Sequence, residues 1–240
     1  MNVAAAGTGP DGYATRRAWI EEYFDRTAAD AWARLTSDAP VSGVRATVRA
    51  GRERMRATLA SWLPDDLAGR RVLDAGCGTG QMSVALARRG ADVVAVDLSR
   101  TLTTLARERL PADLGPGRVT FVAGDMLGPE LGRFDHVVAM DSLVHYRAAD
   151  IVGALGALAS RTRESLVFTF APRTVALSAM HAVGRLFPHG DRAPAIEPVS
   201  ERRLRALLAE QASLAHWRQG RSLRVDSGFY MSQAFEITAR

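Results

Sequence analysis

The stretch "VLDAGCGTG", Val72 to Gly80, constrains the fold more than any other in the chain. An apolar run ends on an acid and passes at once into alternating glycines. The "GQMSVALARRG" that overlaps its end then repeats apolar residues at helical spacing as far as Gly90. A strand, a turn tight enough to need glycine and a helix, in that order, open a doubly wound α/β sheet. A dinucleotide fingerprint, GxGxxG, would put its third glycine at 81, where Gln81 stands. Asp74 would also repel a pyrophosphate, whereas a cationic, amino-acid-like ligand would welcome it. A nicotinamide-dependent oxidoreductase is therefore disfavoured.

The rhythm continues downstream. "DVVAVD" reads as a strand, and "SRTLTTLARERL" as a helix with Ser99 at its N-cap. "RVTFVAGD" and "FDHVVAMD" are strands, "RAADIVGALGALASR" a helix and "ESLVFTFAP" a strand. "SERRLRALLAE" is a helix, and the chain closes on alternating strands near 214–225 and 228–237. Strands alternating with helices predict a doubly wound, mostly parallel sheet, here of seven strands. This domain is expected over 63–240, interrupted by a helical lid insertion over 173–198 whose first half is apolar nearly all round.

Ahead of it lie a Gly/Ala/Pro-rich leader, 1–14, and an N-terminal helical arm, 15–62. In the arm Trp19, Ile20, Tyr23, Phe24, Ala31 and Leu35 recur at helical spacing until "SDAPVSG" breaks the pattern. A second helix puts Val44, Val48, Met55, Leu59 and Trp62 on one face and Arg45, Arg49, Arg52 and Arg56 towards the other.

Composition narrows the function classes. All 31 basic residues are arginine, but acids interleave with them and the net charge is only +5, so no nucleic-acid surface is indicated. A single cysteine, Cys77, excludes an intrachain disulfide and a cysteine-based zinc cluster. The N-terminus lacks the apolar core of a signal peptide, and no uncharged stretch reaches the ~20 residues that span a bilayer. A cytoplasmic protein is expected, with peripheral membrane contact left open.

In such sheets ligands bind beyond the carboxyl ends of the strands. That rim would carry Asp74, Asp97 with Leu98 beside it, Asp125 and the "MDSLVHY" tip. Asp97, about 20 residues after the loop, is placed to accept from ribose hydroxyls. Asp125 is placed for an adenine amino group, with the Met126 amide towards a ring nitrogen. Met140 and Asp141 would border the same ligand.

These residues resemble the class I, Rossmann-like S-adenosylmethionine-dependent methyltransferases. The resemblance implies that Asp74 lies near the methionine end, that Gly76, Gly78 and Gly80 shape the pocket, and that Asp97 holds the ribose. "EEYFDRTAADAWARL", "MDSLVHY", "FTFAPRTVAL" and "GFYMSQAFE" together resemble more narrowly the magnesium-protoporphyrin IX O-methyltransferases of chlorophyll and bacteriochlorophyll synthesis. That family implies S-adenosylmethionine as methyl donor and magnesium-protoporphyrin IX as acceptor, with magnesium only as part of the porphyrin and no metal site of the protein's own. It points to His145 and Tyr23 as the catalytic pair, orienting the acceptor carboxylate. Arg147, Arg173, Arg185 and Met180 are candidate substrate contacts, and His136 reads as structural. Docking on a magnesium chelatase subunit and contact with a photosynthetic membrane stay open. A methyltransferase acting on a quinone precursor and a non-catalytic binding module on the same fold are the alternative readings.

Overall fold

The structure, a computed structural model, describes residues 13–25, 36, 43–173 and 196–240. Two helices come first, α1 (Tyr13–Tyr23) and α2 (Val44–Ser61). The alternating part follows as β1 (Arg71–Ala75), α3 (Gln81–Ala87), β2 (Asp92–Asp97), α4 (Arg100–Glu108) and β3 (Arg118–Ala123). Next come β4 (Phe134–Ala139), α5 (Ala148–Ala159), β5 (Thr162–Phe170) and α6 (Glu201–Glu210), then the hairpin β6 (Trp217–Ser227) and β7 (Tyr230–Ala239).

The strands form one seven-stranded sheet in the order β3-β2-β1-β4-β5-β7-β6. β1 to β5 pair in parallel, and the closing hairpin joins antiparallel through β7 against β5. Parallel strands covered on both faces should be apolar throughout, and β4 is buried at every position. His136 lies within it, with Nδ1 2.8 Å from Ser165 Oγ; burial lowers its pKa and keeps the ring neutral. It is a core residue. Ser99 caps α4 by accepting from the Leu102 amide.

Two apolar clusters flank the sheet. One centres on Phe134, Phe168, Phe170 and Phe235, and the other on Met55, Leu59, Leu86 and Val93. The second cluster corrects the reading of 15–62 as one arm. Gly51, Met55 and Leu59, one turn apart, are buried, so α2 belongs to the body of the domain. Val44, expected on its apolar face, is exposed. The leader boundary shifts as well, because Tyr13 already belongs to α1. The continuation of the first helix to Leu35 and residues 174–195 of the lid insertion, with Met180 and Arg185, lie outside the described residues. Among those described, no helix is long and apolar enough to cross a membrane.

Candidate active site

The sheet reverses direction of winding between β1 and β4, which opens a crevice at their carboxyl ends. The glycine loop leaves β1 there and is pinned to β2: the Gly76 and Cys77 amides both donate to the Val96 carbonyl, at 2.8 and 3.0 Å. Gly76 has φ +86°, and a Cβ on it would lie 2.2 Å from Ser142 Cβ. Gly80 has φ +79° and would meet Phe121 at 2.8 Å. Glycine is therefore required at both positions by neighbouring protein as well as by backbone conformation.

Asp97 closes β2 and stabilises the loop, accepting from the Gly78 amide at 2.8 Å and the Ser99 amide at 2.9 Å. Burial raises its pKa while these two amides oppose the shift. Asp74 is fully buried and accepts from Ser83 Oγ at 2.6 Å. Burial pushes its carboxyl up to about 7, with Ser83 opposing. Such a group gains most from a cationic partner.

Both acids line a cavity of about 480 Å³. Its walls take in Gly76, Gly78, Leu98, Asp125, Met126, Met140 and Asp141, and also Tyr23 and His145. Gly80 is not on the wall; it turns the chain into α3. The far side is closed by α1 and by the α2 residues Arg45, Val48, Arg52 and Arg56.

Asp125 joins the sheet to α1. It accepts from Tyr13 Oη at 2.9 Å, Arg17 Nη1 at 2.8 Å and the Leu127 amide at 2.9 Å. Burial acts to raise its pKa, but these donors prevail and hold it below the usual carboxylate range. Tyr13 also stacks on Tyr146 at 5.0 Å between ring centroids, and burial pushes the Tyr146 phenol up to about 12. With α1 in place, the carboxylate expected for adenine is engaged by the protein itself.

Asp141 is similarly engaged. Among the described residues it is the only non-glycine at positive φ, +56°, a conformation that costs of order 1–3 kcal/mol and persists only where its surroundings over-determine it. Here they do: its carboxylate accepts from Arg52, from Tyr230 Oη at 3.0 Å and from Ser232 Oγ at 3.2 Å, and its amide donates to Thr169 Oγ1 at 2.7 Å. Ser142 Oγ, next along, is buried with no hydrogen-bond partner among the described residues and faces the loop at Gly76.

His145 ends a short 3-10 turn, Leu143–His145. Its ring sits 6.1 Å from that of Phe24, which meets Tyr23 edge-on at 5.4 Å. Its carbonyl accepts from Arg16 at 2.8 Å, so α1 spans this turn too. The proposed pair thus shares one wall. Arg147 and Arg173 do not: Arg147 caps α5, Arg173 bonds through its amide to Val199, and both are exposed away from the cavity. Tyr13, Arg17, Arg52, Ser142 and Tyr230 escaped the sequence reading. The arginine face of α2 was visible in it, but the cavity against that face was not.

The fold and the loop, with its two buried acids and the neighbouring unsatisfied hydroxyl, define a class I S-adenosylmethionine-dependent methyltransferase. Residues 72–165 match a general methyltransferase domain family, and 139–239 match the magnesium-protoporphyrin IX methyltransferase C-terminus family. The magnesium-protoporphyrin O-methyltransferase of Rhodobacter capsulatus is 51% identical, over 95% of this chain and 98% of that one. The Synechocystis enzyme of the same name is 31% identical, over 90% and 94%. A crystal structure of the Synechocystis magnesium protoporphyrin IX methyltransferase with bound SAH has a TM-score of 0.81 at 28% identity, over 94% of this chain and 100% of that one. The chain belongs to the magnesium-protoporphyrin O-methyltransferase family.

Proposed function

We propose that this chain methylates a propionate carboxylate of magnesium-protoporphyrin IX, giving the monomethyl ester in chlorophyll or bacteriochlorophyll synthesis. The observation that carries the reading is a single cavity joining Asp74 and Asp97 to Tyr23 and His145, with the apolar Ile20, Phe24, Val144 and Ile196 around it. When bound, S-adenosylmethionine supplies an electrophilic methyl group on a sulfonium. Asp97 would hold its ribose, Asp74 its cationic end, and Met126 and Met140 would pack beside it.

The acceptor carboxylate is already ionised near neutral pH, so the protein need not remove a proton. What remains is alignment, which can contribute roughly 7–11 kcal/mol. Opposite charges neutralise one another in the transfer. A strong cationic clamp on the reacting carboxylate would thus stabilise the ground state more than the transition state. Neutral donors suit the task, and Tyr23 and His145 supply them; burial raises the Tyr23 pKa and keeps its hydroxyl protonated. The family match over 139–239 reaches past the shared cofactor half and favours the porphyrin over a quinone precursor.

Two measurements test this. Incubation with magnesium-protoporphyrin and S-adenosylmethionine should yield a product heavier by one methyl group; turnover of a phenolic quinone precursor instead would overturn the substrate, and absence of cofactor binding by calorimetry the enzyme reading. His145→Gln, which keeps a neutral donor, should retain more kcat/KM than His145→Ala. Equal losses, with a wild-type rate titrating near the ~6.5 of histidine, would make His145 a general base.

A further inference from the structure

The acceptor carries two propionates, and only one reacts. The other enters with it as an anion, and a carboxylate drawn from water towards an apolar cavity needs a cationic partner. Three arginines line the cavity, all from α2: Arg45, Arg52 and Arg56. Spaced seven and four residues apart, they project from one helical face. Arg52 is paired with Asp141 and Arg56 with Glu53. Among the described residues, no acid pairs with Arg45.

Position separates them further. Arg52 reaches Asp141, whose neighbour Ser142 packs on the glycine loop. Arg45 stands in the first turn of α2, at the exposed end where Ser227 of the hairpin donates to the Thr47 carbonyl. Seven helical residues hold the two some 10 Å apart along the axis. A cation there can take an anion without clamping the reacting carboxylate, and Val48, one turn on, presents apolar surface between them.

We propose that Arg45 grips the non-reacting propionate and thereby limits transfer to one ester, an inference that rests on the porphyrin reading above. A monoester entering the other way round would offer Arg45 a neutral ester group. The ion pair would be lost, and second methylation would be disfavoured.

Steady-state kinetics of Arg45→Gln and Arg45→Lys, on magnesium-protoporphyrin IX and on its monomethyl ester, test the assignment. Losing one charge-assisted contact should raise KM for the diacid about ten-fold in the Gln variant, with kcat and the KM for S-adenosylmethionine near wild type. The Lys variant should recover part of the loss. Preference for diacid over monoester should collapse in the Gln variant. Wild-type KM and undiminished preference in that variant would overturn the role of Arg45 while leaving the porphyrin reading intact, as would a fall in kcat at constant KM. A wild-type enzyme inert on magnesium-protoporphyrin would overturn both.

Discussion

At the scale of single residues, Asp74 shows how burial converts a common side chain into a sensor. Below its ordinary value of 3.8 it is neutral in folded and unfolded chains alike. As pH rises towards 7 the unfolded chain ionises it freely while the folded chain retains the proton. Its contribution to stability is therefore complete below about 4 and is lost as pH climbs through 7, at a slope on the order of 1 kcal/mol per pH unit. Asp74→Asn stays neutral throughout. Chemical denaturation of the ligand-free protein should show wild type losing ground to this variant across that window; parallel curves would mean that Asp74 is ionised in the folded state. The acid itself was legible from its place before the glycines. Its bond to Ser83, nine positions on, depends on how α3 lies against β1 and could not be read from spacing.

Among the elements, α2 departs most from its expected role. A glycine inside a helix usually costs about 1 kcal/mol relative to alanine, so Gly51→Ala should stabilise an exposed helix. A Cβ on Gly51, however, would lie 2.5 Å from Tyr230 Cδ1. Overpacking of this kind costs typically 1–3 kcal/mol, and the displaced ring carries the hydroxyl that bonds Asp141 at 3.0 Å. Urea denaturation should find Gly51→Ala less stable than wild type; a gain in stability would show that the helix and ring part freely. Periodicity identified Met55 and Leu59 as core residues correctly. It misplaced Val44, 50% exposed, because the sheet beneath α2 ends before the first turn of the helix.

For the whole molecule, the two N-terminal helices are held by different physics. α2 buries Met55 and Leu59 completely, whereas α1 buries Ile20 alone. What holds α1 otherwise is polar and at the rim: Tyr13 and Arg17 on Asp125, and Arg16 on Glu197 and the His145 carbonyl. Such contacts contribute little net free energy each. In hydrogen exchange, α2 should be protected like the sheet with or without ligand. α1 should exchange fast alone and slow when S-adenosylmethionine and porphyrin fill the cavity beneath it. Equal protection of α1 in both states would show that it is a fixed wall.

What the sequence determined by itself was local. Hydrophobic period and turn residues specify the alternation of strand and helix, and a parallel sheet then brings Asp74, Asp97, Asp125 and Met140 to one rim, because every parallel strand ends on the same side. What only the tertiary structure decided was which groups face those acids. Arg52 lies 89 residues from Asp141, and Tyr13 lies 112 from Asp125. Their meeting depends on how two helices preceding the sheet pack across its carboxyl edge. No period in the chain records that, since the side chains involved are polar, lie at the cavity wall and obey neither the strand nor the helix repeat.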